Sequence, residues 1–361
     1  MKIRGFFEKE NTLSVLGSVC AVIFGLLISF VILLISDPSN APAGFGSILM
    51  GGFNGGLKGI GNVIFQALPI IMTGLAVALA FRTGVFNIGT AGQFIMGAFA
   101  AVYIGVKWNF LPAGIHWLVA LLGGFLVGAA WAFIPAVLHA HFQVNAVVSA
   151  IMMNYVGMYT ANYLITKTVY NAAKNQSKAV AATAMAPKAG MDMLFPGSSL
   201  NAGVIVVVLI VIVLQILINK TVFGYEIKAC GMNRQASLYA GISAKKRLVQ
   251  SFMLSGGLAG LGGALAYLAG DGKCISVVDV LAGDGFTGIA VALLGLNSPV
   301  GALLAGLLIS YLEVGGFYTQ VYQYPVEIID ITIAVIVYFG AFAVLVKGMI
   351  RKLVQRKEGK E

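Results

Sequence analysis

The stretch LSVLGSVCAVIFGLLISFVILLI at residues 13–35 decides the fold class of this protein. It contains no charged residue and is longer than the roughly 20 residues that a helix needs to cross the hydrocarbon core of a bilayer. The whole chain agrees with it, because 59% of its 361 residues are hydrophobic, only 10% are charged, and the mean hydropathy is +0.93. An average soluble domain is about 25% charged. We therefore expect an integral membrane protein.

The basic start of the chain, with Lys2, Arg4 and Lys9, also resembles the start of a secretory signal peptide. The apolar region of a signal peptide is only about 7–15 residues long, and a small-x-small cleavage site follows it. Residues 13–35 are too long, and no such site stands directly after them. We interpret them as a retained first helix.

Apolar stretches recur along the rest of the chain and predict an all-α, polytopic transmembrane helical bundle of about ten helices. We expect it to form a single transmembrane domain over residues 1–361. Polar or proline interruptions within 62–106 and 284–315 are typical of split or re-entrant helices. The predicted segments are residues 13–35, 62–81, 90–106, 117–139, 144–165, 201–219, 249–269, 284–296, 299–315 and 326–346.

The distribution of the net charge of +10 predicts the orientation in the membrane, because cytoplasmic loops are enriched in Lys and Arg. With the N-terminus inside, the inner segments hold 16 of the 23 Lys and Arg residues. We predict that both termini are cytoplasmic, and we attribute the charge to topology and not to nucleic-acid binding. Four lysines lie in the predicted outer loop, about 166–200, where this orientation predicts few basic residues. The inner segments are those with Lys2, Arg4, Lys9, Arg82, residues 220–247 and residues 347–360.

Sequence patterns for catalysis or metal binding do not emerge. No GKS or GKT occurs, so the chain has no Walker A motif. Cys20, Cys230 and Cys274 are solitary, which supports neither a disulfide framework nor a zinc site. His139 and His141 are two residues apart and point away from each other on a helix. We expect no enzyme site, no metal and no cofactor bound by this chain.

The segment GVFNIGTAGQFIMG at 84–97 interrupts two apolar stretches with amides and closely spaced glycines. Irregular backbone at membrane depth is tolerated where it lines a cavity or is buried in protein. A substrate pathway near Asn87 and Gln93 and a plain cytoplasmic turn both fit this pattern.

The segment QVNAVVSAIMMNY at 143–155 predicts a polar stripe, with Asn145, Ser149, Met152 and Met153 on one helix face. Such a stripe faces protein or water more often than lipid, so both interhelical hydrogen bonding and substrate contact are open. The candidate pathway residues of the two segments are Asn87, Gln93, Asn145, Ser149 and Asn154.

The inner loop 220–247 predicts a short amphipathic helix over 235–240, with Asn233 as its N-cap. Such a helix could dock onto a soluble partner. A solvated basic loop attracted to anionic lipid would explain Lys245, Lys246 and Arg247 equally well.

Two further patterns concern the membrane interior. Gly256 and Gly260 form a GxxxG motif, which is typical of close helix packing. Glu313 and Asp330 are candidates for a proton relay, since intramembrane carboxylates are often functional. We expect most other acidic residues near the outer helix ends, in contact with water.

Four segments together resemble the permeases of bacterial ATP-binding-cassette (ABC) importers, in the branch that serves simple sugars, branched-chain amino acids and nucleosides. The resemblance covers most of the chain and implies a type II ABC importer permease fold. Within the branch the chain is most similar to nucleoside permeases, with simple sugar permeases of the ribose type as the alternative. The segments are GVFNIGTAGQFIMGA at 84–98, VNAVVSAIMMNY at 144–155, GMNRQASLYAGISAKKRLVQSFMLSGGLAGLGGAL at 231–265 and GFTGIAVALLGLNSPVGALLAGLL at 285–308.

The resemblance implies that residues 231–242 form the coupling segment that fits a groove on an ATP-binding subunit. ATP and magnesium would bind that partner, in agreement with the missing Walker A motif. It also implies a second, different permease subunit, an extracellular substrate-binding lipoprotein, and a location in the bacterial cytoplasmic membrane. The residues assigned to coupling are Gly231, Met232, Asn233, Ala236, Tyr239, Ala240 and Gly241.

Two positions depart from the pattern of the family, where acidic residues commonly stand in place of Ala91 and Ala146. Contacts made through those carboxylates would be absent here, and the partner permease would supply them. Two other function classes stay open, namely a secondary carrier coupled to protons through Glu313 or Asp330, and a membrane-bound enzyme.

Overall fold

The computed structural model describes residues 10–341 and Gly348 of the chain. The predictions that concern Lys2, Arg4, Lys9, the basic residues of 347–360, and the end of the last apolar segment at 342–346 lie outside the described residues. The described part is predominantly helical, with one pair of two-residue strands. Its elements are α1 (Glu10–Ser36), α2 (Ala41–Met50), α3 (Gly56–Arg82), α4 (Thr90–Lys107), α5 (His116–Phe142), α6 (Ala146–Thr168), β1 (Tyr170–Asn171), β2 (Gln176–Ser177), α7 (Met191–Leu194), α8 (Gly203–Lys220), α9 (Val222–Met232), α10 (Arg234–Tyr239), α11 (Ala244–Tyr267), α12 (Gly283–Leu294), α13 (Pro299–Thr319) and α14 (Val326–Ala341), with short 3-10 turns at Gly51–Gly55, Ala182–Ala184 and Gln320–Tyr322.

Each predicted apolar segment overlaps one of these helices, and the helical class is confirmed. Five described segments are long and apolar enough to cross a membrane by length and composition. The count of about ten spanning helices therefore stays a prediction. The all-α prediction omitted the strand pair, and it missed α2, whose start carries a proline in the first turn, where the absent N–H costs no hydrogen bond. The five segments are Ala41–Arg82, His116–Phe142, Gly203–Lys220, Ala244–Tyr267 and Pro299–Tyr322.

The described residues divide into two compact units, residues 60–310 and residues 10–59 with 311–341. In the second of these, α1 packs along α14. The Ser29 hydroxyl donates to the Thr332 carbonyl at 3.2 Å, and Gly25 lies against the backbone of Ile336. Tyr324 donates to the carbonyl of Asp37 at 2.8 Å, which fixes the segment before α14 against the end of α1.

At the centre of the unit 60–310, α11 packs against α4 and α5. Its GxxxG glycines form the contact, because Gly260 lies directly against Gly97 and Gly128, and Gly256 lies against Gly128 and Ala132. A side chain at any of these glycines would meet the backbone of the neighbouring helix. Close backbone approach of this kind is how helices associate in lipid, where apolar side chains gain nothing from leaving water. The packing interpretation of the GxxxG motif is confirmed.

The predicted outer loop lies between the end of α6 and the start of α8, and it is packed against the helices rather than extended away from them. The Ala181 N–H donates to the Gly105 carbonyl near the end of α4 at 2.9 Å, and the Ser177 N–H donates to the Ile275 carbonyl at 2.8 Å. Ser177 is fully buried. The segment is thus an ordered cap over the ends of the helices, with a short hairpin formed by β1 and β2.

Candidate functional site

The turn between α3 and α4 contains the first predicted pathway segment, and a closed set of amide hydrogen bonds holds it. The side chains of Asn87 and Gln93 bond to each other in both directions, at 2.9 and 3.2 Å. Asn87 also donates to the Ser255 hydroxyl of α11 at 2.9 Å and accepts from the Gly89 N–H at 3.0 Å. Both amides are buried, and their hydrogen-bonding groups are directed at protein.

Asn154 of α6 holds the same turn from the other side. Its carbonyl oxygen accepts from the Gly92 N–H at 2.8 Å, and its NH₂ donates to the Ile88 carbonyl at 2.9 Å. Gly92 is needed here, because an added Cβ would lie 2.8 Å from the Asn154 Cα. The structure thus brings Asn87, Gln93 and Asn154 together around one irregular piece of backbone, and their contact with substrate stays a prediction.

Asn145 and Ser149 lie apart from this cluster. Asn145 is the exposed N-cap of α6 and accepts from the Val147 N–H at 2.9 Å, whereas Ser149 is buried and donates to the Ala146 carbonyl. The predicted stripe begins at the N-cap and not inside the helix, and its members differ in burial, since Ser149 is buried and Met152 is exposed.

An exposed tyrosine stripe on α6 escaped the sequence analysis. Tyr155, Tyr159 and Tyr163 are 47%, 55% and 62% exposed. Their spacing of four residues, which places them on one helix face, was the signal that could have found them. Their hydroxyls hydrogen-bond to no described residue, and the Lys167 ammonium lies 5.9 Å from the Tyr163 ring centroid. The stripe offers aromatic faces and hydroxyl groups along the middle of α6, from Tyr155 to Tyr163.

The predicted coupling segment, residues 231–242, covers the end of α9, the helix α10 and the turn after it. Asn233 caps α10 by accepting from the Ala236 N–H at 3.0 Å, so the predicted N-cap is confirmed. The residues assigned to coupling are all exposed, and Tyr239 is 93% exposed. The exposed residues are Gly231, Met232, Asn233, Ala236, Tyr239, Ala240 and Gly241.

The end of α9 lies directly against the turn after α3. An added Cβ at Gly231 would collide with the Arg82 carbonyl and lie 3.0 Å from the Gly84 nitrogen, and Gly84 itself has a φ of +75°. Two glycines are therefore required for this backbone contact. A cavity of about 240 Å³ adjoins it, lined among others by Thr83, His139 and Arg234. The exposed segment and the amide-bonded turn are thus joined without an intervening side chain.

An ion pair attaches α9 to the start of α11. The half-buried Arg247 guanidinium pairs with the Glu226 carboxylate, donates to Gln250 at 2.8 Å, and lies 5.5 Å from the Phe223 ring centroid. At the start of α9, the Thr221 hydroxyl caps the helix by accepting a hydrogen bond from the Gly224 N–H. The inner loop 220–247, which contains the coupling segment, is therefore fixed near both of its ends.

Comparison with known proteins identifies the family. Residues 59–347 match the model of the family described as branched-chain amino acid transport system / permease component. The chain belongs to this permease family. No solved structure matches it.

Three relatives give the match more detail. The chain is 38% identical to the guanosine ABC transporter permease protein NupP of Bacillus subtilis, over 94% of this chain and 96% of the relative. It is 32% identical to the nucleoside ABC transporter permease protein NupB of Lactococcus lactis, over 95% of each chain. It is also 32% identical to the glucose ABC transporter permease protein TsgB13 of Haloferax volcanii, over 78% of this chain and 75% of the relative. The permease is an integral membrane protein.

The positions that depart from the family pattern are packed in this permease. Ala91 is fully buried, and an added Cβ at Gly285 of α12 would lie 2.7 Å from the Ala91 nitrogen. The Thr90 hydroxyl donates to the Gly285 carbonyl at 2.8 Å, so the first turns of α4 and α12 are in contact. Ala146, the first residue of α6, is also buried. A carboxylate at position 91 would need space that Gly285 and its neighbours now occupy.

The basic end of the predicted inner loop is helical in the permease, which corrects the prediction of a loop there. Helix α11 begins at Ala244, so Lys245, Lys246 and Arg247 lie in its first turn. The prediction placed the apolar segment at 249 because charged residues mark the end of an apolar run, although a helix continues beyond the hydrocarbon. These cations stand at the helix end where the macrodipole disfavours positive charge.

Proposed function

We propose that this chain is a membrane-spanning subunit of an ATP-driven importer that carries nucleosides into the cell. The near full-length similarity to permeases named for guanosine and nucleosides carries the choice of substrate class. ATP and magnesium bind a separate ATP-binding subunit, and a second permease and an extracellular substrate-binding lipoprotein complete the transporter. The glucose permease relative supports sugar import as the second candidate.

The coupling step runs through α9 and α10. The ATP-binding partner holds the exposed surface around Tyr239, and its closure pushes on α10. The movement reaches the turn after α3 through the contact between Gly231 and the Arg82 carbonyl. A direct contact between two backbones transmits a displacement that a flexible side chain between them would absorb. The amides of Asn87 and Asn154 then pass it to α4, α6 and α11. These amides position the pathway, and their direct contact with the substrate stays a prediction.

The substrate pathway follows the tyrosine stripe of α6. A hydroxyl that faces lipid has no hydrogen-bonding partner there, which makes an exposed row of tyrosines costly on a lipid-facing surface. Water, substrate or a partner permease removes that cost. Aromatic rings suit a nucleobase in particular, since stacking of a base on an aromatic side chain contributes about 1–3 kcal/mol.

Uptake by the whole transporter tests the function. Proteoliposomes that contain the permease with its partner subunits should accumulate radiolabelled guanosine or cytidine only with ATP, and labelled glucose should not be accumulated. Accumulation of glucose alone would favour the sugar permease. Uptake that persists without ATP and collapses with the proton gradient would instead favour the secondary carrier with Glu313 or Asp330.

Two substitutions test the coupling and pathway assignments separately. Tyr239→Ala should leave the folded permease unchanged, because the side chain is almost fully exposed, and should reduce binding and stimulation of the ATP-binding subunit.

The pathway assignment is tested at Tyr159. Tyr159→Ala should raise the KM for nucleoside about 5-fold or more, as stacking energies of about 1–3 kcal/mol imply, while Tyr159→Phe should retain most of the affinity. Ile212→Ala on the exposed side of α8 is the control. Equal effects at Ile212 and Tyr159 would reject the pathway.

A further inference from the structure

A groove of about 730 Å³ lies between the end of α5 and the start of α11, and neither the tyrosines of α6 nor the residues of the coupling segment 231–242 line it. Its walls differ in character at the two ends. Phe133, Val137 and Val249 form an apolar part, and Lys245 and Lys246 form a basic part together with the polar side chains Ser243, Gln250 and His141. An amphiphile with an anionic head is complementary to this arrangement.

The charge of the groove is not balanced within the described protein. Arg247 pairs with Glu226, whereas neither Lys245 nor Lys246 forms an ion pair with a described carboxylate. Both lysines are exposed and stand in the first turn of α11, where the helix dipole disfavours them. An anion bound between them would offset both effects.

The depth of the groove distinguishes a lipid from a soluble anion or a soluble protein. Phe133 and Phe142 both line it, and at 1.5 Å per residue they lie about 13 Å apart along α5. This length belongs to a helix that is apolar enough to span the membrane. A free anion would occupy only the basic end, and a soluble partner would not reach so far into the hydrocarbon.

We propose that this groove binds one anionic phospholipid of the cytoplasmic leaflet, with its phosphate at Lys245 and Lys246 and an acyl chain along Phe133, Val137 and Val249. The cytoplasmic leaflet follows from the density of basic residues at this end of the helices. A bound lipid would brace α11 against α5 next to the Glu226–Arg247 ion pair. The site is independent of the substrate that the permease carries.

Native mass spectrometry of the full-length permease in detergent tests the site, with phosphatidylglycerol and phosphatidylcholine of equal chain length as probes. The wild type should retain one phosphatidylglycerol in preference to phosphatidylcholine. Lys245→Gln with Lys246→Gln should weaken that binding about 30-fold, because each basic residue contributes about 1 kcal/mol to anionic lipid binding. Lys174→Gln with Lys178→Gln removes the same charge from the hairpin loop and should change nothing.

A second variant and a competitor distinguish a bound phospholipid from a free anion held by the lysines alone. Val137→Trp fills the apolar part without changing the charge and should also abolish retention of the lipid. Inorganic phosphate at millimolar concentration should not displace it. Thermal melting of each variant, followed by tryptophan fluorescence, shows whether it is folded. Equal retention of both lipids, unchanged binding in the Lys245 and Lys246 double variant, or displacement by phosphate would each overturn the proposal.

Discussion

Asn154 illustrates how one side chain inside a membrane protein can fix the backbone of another helix. Its amide bonds to Gly92 and Ile88 and has no water as an alternative partner, since Asn154 is buried. We expect Asn154→Ala to lower the free energy of unfolding by about 1–3 kcal/mol, the cost of leaving buried polar groups without partners. Thermal unfolding in detergent micelles measures the loss.

The control for this substitution is Asn162→Ala on the same helix. The Asn162 amide also bonds to a backbone carbonyl, that of Val278 at 3.0 Å, and to the Asp279 carboxylate at 3.1 Å, but Asn162 is only half-buried and water can replace these solvent-exposed bonds. Its substitution should cost clearly less. Equal losses at both positions would show that the Asn154 amide does not hold the turn.

Gly260 gives a second prediction at the scale of single residues. An added methyl group would collide with the Gly124 carbonyl and lie 2.9 Å from the Gly128 Cα. We expect Gly260→Ala to destabilise the permease by about 1–3 kcal/mol through overpacking, and to lower its melting temperature. In Gly46→Ala, where no atom lies within 4 Å of the added group, the better helix propensity of alanine should leave the stability unchanged or raise it. A loss in Gly46→Ala as large as that in Gly260→Ala would contradict the packing argument.

The sequence predicted local features of single residues better than distant ones. The N-cap at Asn233 was predictable, because capping depends on residues within the same turn. The bond from Asn154 to Gly92 was not predictable, because it joins residues 62 positions apart whose proximity depends on how α4 and α6 pack. The bond from Asn87 to Ser255 was not predictable either, for the same reason. In the sequence, Asn87 belonged to a candidate pathway segment and Ser255 to a separate glycine-rich helix.

At the scale of elements, the Glu226–Arg247 ion pair fixes α9 to α11. Arg247→Glu should weaken coupling, because it places two carboxylates opposite each other, and fewer substrate molecules should be transported for each ATP hydrolysed. The exchanged pair, Glu226→Arg with Arg247→Glu, restores the attraction and should recover much of the ratio. Simultaneous measurement of nucleoside uptake and ATP hydrolysis in proteoliposomes gives this ratio.

The specificity of that test depends on two further variants. Lys220→Glu makes the same change of charge at an exposed position outside the ion pair and the groove, and it should leave the ratio of uptake to hydrolysis closer to wild type. Glu226→Gln removes the pair without repulsion and should have an intermediate effect. If the exchanged pair performs no better than Arg247→Glu alone, the ion pair does not connect the two helices.

Helix positions were predictable from the sequence to within a few residues, whereas their roles were not. Hydropathy located the apolar parts of α3, α5 and α8, because each is covered by lipid or apolar protein over its length. It placed the start of α11 at 249 and not at 244, since hydropathy records where the hydrocarbon ends and not where the helix begins. It also gave no sign that the tyrosine stripe of α6 is exposed, which depends on the packing of its other face.

At the scale of the whole molecule, the family was predictable because four separate segments matched it together, and the comparison over residues 59–347 confirms it. The sidedness of the chain was predicted from charge alone. Within the unit 60–310, α8 connects the predicted outer loop, which contains the hairpin of β1 and β2, to the inner loop 220–247, which contains the coupling segment. Its 18 residues extend about 27 Å, close to the thickness of the hydrocarbon core. Because a single spanning helix separates these two segments, they must lie on opposite sides of the membrane if α8 crosses it.

Cysteine labelling tests this arrangement. In a permease whose Cys20, Cys230 and Cys274 are replaced by alanine, Lys174→Cys should react with a membrane-impermeant maleimide in intact cells, because Lys174 is exposed in the hairpin loop. Tyr239→Cys should react only after the cells are permeabilised. Labelling after denaturation is the control, because it shows that both thiols can react. A cysteine at position 239 that reacts only after denaturation, and not after permeabilisation, is covered by the ATP-binding subunit. Reaction of Tyr239→Cys in intact cells would place the coupling segment outside and would reject its contact with an ATP-binding partner.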